Sequence, residues 1–393
     1  MKKSAKIIAV LATIVTATQL AADNSWSGLT LSDVLIKAQN QYTISQSEDD
    51  SLPVNQVLAS SPKLYLSYIE AGNFQGTETE FGIAFDLMSF AKHRLNNVTE
   101  GVAKQLAENN RINHQLILSG SIRNLLWDIA IATTEYSQSE NKIKWLTDIR
   151  DFQKNLLNNG SGSKLALLRV ELELTKAEQA KAVANMHRNA ALEQYSKITQ
   201  LSVLPESIQE TLTGQPEISV DHPLLQKISL ARQLSKLALR VQSSAQDDWN
   251  VTLFQREVDL IGQTDTQMGV SVELPLSFSD SYTPTASQSW RHADRDFQQQ
   301  YFTTKLSLDK QLTELKEQAA YLQQMQSLLV KQLEMSRVLE KDLNGLKSAG
   351  SISLDEYYRR LIELKDIQFQ TETNELMLQR NIALQNQILG QPL

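Results

Sequence analysis

The stretch FGIAFDLM, residues 81–88, alternates apolar side chains with small or polar ones, and MGVSVEL, residues 268–274, repeats this alternation 187 positions later. A period of two is typical of a β-strand with one apolar face. An apolar run precedes each stretch across a short loop that contains glycine. We therefore predict two β-hairpins, at 62–88 and 249–278, with four strands in all.

A second correspondence lies downstream of each hairpin. The sequence GSGS at 160–163 recurs as GSIS at 350–353, a shift of 190 positions. Two similar shifts in the same order indicate a duplicated unit of about half the chain. The segment 203–223, which contains three of the eight prolines, is predicted to be the joint between the repeats.

The two longest segments without proline are 63–204 and 285–391. In the second of these, apolar residues recur in steps of three and four, which is the heptad pattern of a coiled coil. Both segments consist of a long helical stretch, a break and a returning helical stretch. We predict long helical hairpins at 89–202 and 279–390, with a further helix at 224–248.

The first 22 residues have a basic start, a short apolar run and small residues at the end, which is the pattern of a secretory signal peptide. We expect residues 23–61 to form an N-terminal periplasmic segment and residues 391–393 a short tail. The chain contains no cysteine. Its formal net charge of −7 argues against nucleic acid as a partner.

The sequence also lacks the motifs of enzymes. We find no nucleophile motif, no phosphate-binding loop and no pair of histidines at metal-ligand spacing. We therefore expect neither catalysis, a cofactor nor a metal site.

Four strands with one apolar face are too few to stand alone, because an open sheet leaves two unpaired edges. Within a membrane only a closed barrel removes such edges. Two copies of the chain would supply eight strands and three copies twelve, and the residues alone leave both possibilities open. The small side chains on the inner face favour an open lumen; they are Gly82, Ala84, Gly269 and Ser271. The polar helices would then project from the membrane as a coiled-coil tube.

This order of parts resembles the outer-membrane factor (TolC-like) family of tripartite efflux and type I secretion systems. The most specific segments are GSISLDE at 350–356 and VELPL at 272–276, and HPLL at 222–225 is similar to the family's Asn-Pro-x-Leu helix start. The first repeat lacks a clear copy of that helix start. The short length of this chain is more similar to that of the heavy-metal-efflux branch than to that of TolC itself.

The resemblance implies a fold that is mainly α with membrane β: three copies form a twelve-stranded β-barrel and an α-helical periplasmic tunnel. It implies a homotrimer in the outer membrane of a Gram-negative bacterium, with a large periplasmic part, in contact with outer-membrane lipid. It also implies a periplasmic adaptor and an inner-membrane pump of the RND or ABC type as partners. The function would be that of an exit duct that passively conducts metal ions or drugs.

Two pairs of acidic residues are candidates for functional sites. Asp86 and Glu273 occupy equivalent inward positions in the two hairpins, where a ring of carboxylates would favour cations. The alternative is an ordinary polar barrel interior. Asp355 and Glu356 lie just past the second helix turn, where the family places its periplasmic gate. The alternative there is stabilisation of a helix N-terminus.

The two helix turns are candidate contacts of the adaptor, through Gly160, Ser161, Ser163, Gly350, Ser351 and Ser353. The glycines are predicted to adopt positive φ at the chain reversals, and the serines can serve simply as helix N-caps. A periplasmic adaptor or a coiled-coil scaffold of the envelope is the alternative function. An adaptor should have one helical hairpin and many β segments, whereas this sequence has two hairpins and four strands.

Overall fold

The computed structural model describes residues 28–42, 58–71, 76–213, 217–243, 248–260, 263–274 and 284–393. The predicted signal peptide, the tips of both β-hairpins and the end of the predicted second hairpin after residue 274 lie outside these residues. The elements of the first half are α1 (Leu31–Tyr42), β1 (Lys63–Ala71), β2 (Gly76–Leu87), α2 (Phe90–Asn158) and α3 (Lys164–Thr199). Those of the second half are α4 (Pro223–Ser243), β3 (Trp249–Leu260), β4 (Gln263–Glu273), α5 (Pro284–Ser348) and α6 (Leu354–Ile388). The prediction of a mainly helical chain with a small sheet is confirmed.

The four strands form one antiparallel sheet in the order β1-β2-β3-β4. The pairing of β2 with β3, from Gly76 opposite Leu260 to Leu87 opposite Trp249, joins the hairpins of the two repeats side by side. The alternation in the sequence did not indicate this contact. Strands β1 and β4 are the two edges of the sheet.

The two sheet faces differ sharply in character. Residues paired across the ladders share a face, so Leu64, Ile83, Leu253 and Val270 form one apolar row. Large apolar side chains of this face are exposed in the single chain, among them Leu64 at 78% and Met268 at 83%. An exposed apolar face of this size is typical of a surface that another protein or a membrane covers.

The helices are very long. α2 has 69 residues and α5 has 65, so each spans about 100 Å at about 1.5 Å per residue. Each runs to a tight turn and returns through a shorter helix, α3 or α6. All four strands lie at one end of this layout, and both turns lie at the other end of the long helices.

A hydrophobic core holds the middle of α2 against α1, α3 and the joint between the repeats. Ile122, Leu126 and Trp127 are buried there with Tyr195 of α3 and Leu204 of the joint. α2 also contains an 18-residue window that is long and apolar enough to cross a membrane, but 56% of this window is buried inside the protein. Its composition is therefore accounted for by the core.

Candidate functional site

The polar face of the sheet carries the first predicted acidic pair. Asn250 is the ladder partner of both Asp86 and Glu273, so the two carboxylates lie at one level on either side of it. Asp86 accepts hydrogen bonds from Lys63 Nζ at 2.8 Å, Ser60 Oγ at 2.6 Å and Asn250 Nδ2 at 2.8 Å. The charge of Asp86 is therefore compensated by Lys63, which sequence reasoning missed because it lies 23 residues away on the neighbouring strand.

A second charged cluster lies further along the same face. Arg256 binds Glu78 at 2.7 Å and Glu80 at 3.2 Å, and the hydroxyl of Tyr65 donates to Glu80 at 2.7 Å. One guanidinium thus serves two carboxylates, so the cluster keeps a net negative charge. Sequence reasoning did not single out these charged residues, because their contacts depend on the pairing of β2 with β3.

Between the two charged levels, one row of the sheet alternates aromatic rings with glycines. Tyr65, Gly82, Phe254 and Gly269 are successive partners across the four strands. A Cβ atom at Gly82 would lie 2.7 Å from Cε1 of Tyr65, and one at Gly269 would lie 2.4 Å from Cζ of Phe254. The space above the two inward glycines is therefore filled by aromatic rings of neighbouring strands, whereas the sequence alone predicts that these glycines keep the inner face small.

The two helix turns share the same backbone hydrogen bonds. Gly160 and Gly350 have φ of +74° and +66°, as predicted. Ser161 N donates to the carbonyl of Leu156 at 3.0 Å, and Ser351 N donates to Leu346 at 2.9 Å. This agreement shows that the duplication extends to the geometry of the turns.

The two serines at the start of the return helices differ. Ser353 Oγ accepts a hydrogen bond from Glu356 N at 3.2 Å and caps α6, whereas Ser163 makes no side-chain cap bond to α3. Arg359 and Arg360 donate to the carboxylate of Glu356, and these hydrogen bonds lower its pKa. Of the two predicted gate residues, Glu356 thus lies in a helix cap, and the side chain of Asp355 lies outside the described residues.

Aromatic residues connect the two helical hairpins near the turns. Phe152 of α2 and Tyr358 of α6 meet edge to face across the two hairpins, with ring centroids 6.1 Å apart. Within the second hairpin, Lys347 of α5 lies 4.5 Å from the ring centroid of Tyr357. Nearby, Lys142 of α2 forms an ion pair with Asp366 of α6 at 2.8 Å.

A buried polar network in the middle of the molecule connects α2 with the joint between the repeats and with the C-terminal end of the chain. Arg123 of α2 is only 2% exposed and forms two hydrogen bonds of 2.8 Å with Glu210 of the joint. It also donates to Gln387 Oε1 at 2.7 Å and to the carbonyl of Gln391 at 2.8 Å. Nothing in the sequence distinguishes Arg123 from the exposed arginines, so sequence reasoning did not find this network.

The start of α4 is fixed by buried side chains as well. Nδ1 of His222 accepts a hydrogen bond from Leu224 N at 3.2 Å, and Asn109 and Asn113 of α2 both donate to the carbonyl of Pro223. His222 is 2% exposed. Burial lowers its pKa because desolvation penalises the charged ring, although the carbonyl of Ile388 acts in the opposite direction.

Comparison with solved structures identifies the class of fold. The outer membrane channel MtrE of Neisseria gonorrhoeae, in its open state, matches with a TM-score of 0.61 at 15% identity, over 95% of this chain and 96% of that chain. The outer-membrane channel OprN matches at 0.60 and 14% identity over 95% of both chains. CusC, whose structures describe transmembrane channel formation, matches at 0.61 and 14% identity over 92% of this chain and 88% of that chain.

The chain therefore has the fold of the outer-membrane factor channels, and the resemblance inferred from its motifs is confirmed at the level of the fold. No protein-family model and no curated protein matches the sequence. The structural matches do not single out the heavy-metal-efflux branch.

Proposed function

We propose that this protein is the outer-membrane exit duct of a tripartite efflux system of a Gram-negative bacterium. It would passively conduct metal ions or drugs from an inner-membrane pump and its periplasmic adaptor to the exterior. The observation that carries this proposal is the four-stranded sheet, which has one exposed apolar face and one polar face. Among the residues that the structure describes, no further strand pairs with either of its two edges.

Completion of the sheet calls for further copies of the chain. Unpaired strand edges are too costly in hydrocarbon, so β4 of one copy would pair with β1 of the next until the barrel closes. Three copies give twelve strands, with the apolar face towards lipid and the polar face lining a lumen. Eight strands from two copies would leave an interior that side chains fill.

The helices support the same assembly. Tyr321, Leu328 and Met335 recur at heptad spacing on α5 and are 44–59% exposed in the single chain. Such a seam fits packing against a helix of a neighbouring copy. Three copies would place twelve helices around a periplasmic tunnel that continues the barrel.

The predicted site residues have roles within this assembly that we propose on the same grounds. Glu273, with Asp86 at its level, would make the lumen prefer cations, and Asp355 with Glu356 would line the periplasmic entrance. The outer surfaces of the two turns, at Gly160, Ser161, Ser163, Gly350, Ser351 and Ser353, would meet the adaptor.

Membrane fractionation followed by planar-bilayer recording tests the proposal. We expect an oligomer in the outer membrane that dissociates on heating in gels, and purified protein that conducts ions with a preference for potassium over chloride. Substitution of both Asp86→Asn and Glu273→Gln should reduce that preference, and Asp355→Asn should change conductance or block by multivalent cations. A monomer in the periplasmic extract that never conducts would refute the proposal.

A further inference from the structure

We propose that the row Tyr65, Gly82, Phe254 and Gly269 forms a binding site for organic cations, such as quaternary ammonium compounds, in the lumen of the duct. The inference rests on the proposed function, since the polar face lines a lumen only in a closed barrel. It adds a ligand class and specific residues to that function.

The geometry of the row leaves aromatic faces available to a ligand. Atoms of the Tyr65 ring lie 2.7 and 2.9 Å from the position of a Cβ atom at Gly82, and three ring atoms of Phe254 lie within 2.9 Å of one at Gly269. Each ring therefore lies over a glycine of the next strand, with the backbone on one side. Both residues are half-buried in the single chain, so part of each aromatic side chain remains exposed on the polar face of the sheet.

The charges around the row favour positive ligands. Along the polar face of the described strands, five carboxylates accompany two cationic side chains; they are Glu78, Glu80, Asp86, Asp265 and Glu273 against Lys63 and Arg256. The carboxylate nearest the row is that of Glu80, which accepts the hydroxyl hydrogen of Tyr65 at 2.7 Å. Arg256 binds both Glu78 and Glu80, so one negative charge of this cluster remains uncompensated next to the row. That charge and the ring faces favour a cation over an anion.

An organic cation fits this combination better than a metal ion does. Cation–π attraction acts within about 6 Å of a ring centroid and is strongest for weakly hydrated cations, of which quaternary ammonium groups are the recurring example. Three copies would supply six rings around the lumen. Several weak contacts bind a passing cation without trapping it, which conduction requires.

Block of the potassium current by tetrabutylammonium in planar bilayers tests the inference. In the double variant Tyr65→Leu with Phe254→Leu, we expect the concentration for half block to rise by about tenfold, because leucine keeps the apolar bulk but removes the ring faces. The single variant Phe254→Leu should show a rise of about threefold. Tyr65→Phe keeps the ring, so tetrabutylammonium should block this variant at the same concentration as the wild type.

Phe81→Leu is the matched control, since Phe81 is adjacent to Gly82 but points to the apolar face. Its half-block concentration should be unchanged. The preference for potassium over chloride should also be unchanged in the leucine variants, because they retain every carboxylate.

Two outcomes separate the inference from the proposed function. Wild-type protein that conducts, with leucine variants blocked at the same concentration as the wild type, would overturn the aromatic site and leave the duct intact. Wild-type protein that forms no channel would overturn the duct itself. If the double variant does not assemble, the comparison of Phe254→Leu with Phe81→Leu decides the matter.

Discussion

At the scale of single residues, the buried polar side chains determine how the two repeats are joined. Arg123 and Glu210 are 87 residues apart in the chain, and the ion pair between them is buried. Sequence reasoning could not find such a pair, because its partners are set by the tertiary fold and not by periodicity. It did identify the helix start at HPLL, and α4 begins at Pro223 as that motif indicates.

His222 should make stability depend on pH. Its pKa in the folded protein lies below the value of about 6.5 for the unfolded chain, so below that pH the unfolded chain binds a proton that the folded chain does not. We expect the thermal midpoint to fall as the pH decreases from 7.5 to 5.5, partly through this residue. A protonated Nδ1 would also lose the hydrogen bond from Leu224 N.

The variant His222→Asn should reduce that fall, since asparagine keeps a cap acceptor and does not titrate. His187→Asn, at an exposed site on α3, serves as the control and should behave like the wild type. If the thermal midpoint falls equally in His222→Asn and in the wild type between pH 7.5 and 5.5, groups other than His222 cause the pH dependence.

At the scale of elements, the periods of the sequence distinguish strands from helices: the structure has strands where the period is two and long helices where apolar residues recur in steps of three and four. The sequence could not predict that β2 pairs with β3, since pairing between strands of different repeats leaves no local signal. Nor could it distinguish Ser163 from Ser353, which occupy equivalent positions. Only Ser353 makes a side-chain hydrogen bond to its helix.

That difference between the two turns is measurable. Loss of an N-cap side chain costs about 1 kcal/mol, so Ser353→Ala should speed amide hydrogen exchange at Glu356 by about fivefold. Ser163→Ala should leave exchange in the first turn of α3 nearly unchanged. Equal effects in the two variants would mean that the serines cap their helices alike.

At the scale of the whole molecule, the alternation of residues 268–274 predicts which side chains face lipid. Val270 lies on the apolar face and Ser271 on the polar face of β4. An arginine facing lipid near the middle of the bilayer costs about 2–4 kcal/mol, whereas an arginine in the lumen is tolerated. Val270→Arg should therefore reduce the yield of the heat-sensitive oligomer in the outer membrane, and Ser271→Arg should not. The opposite result would mean that the faces are reversed.

The contact between β2 and β3 also bears on the order of folding. Asp86 and Asn250 are hydrogen-bonded although they are 164 positions apart in the chain, and the whole first pair of long helices lies in between. Contacts between such distant residues form slowly, because a long loop must close first. We therefore expect the helices of the chain to form while its strands are still separate, so that entry into the lipid bilayer is the last step of biogenesis.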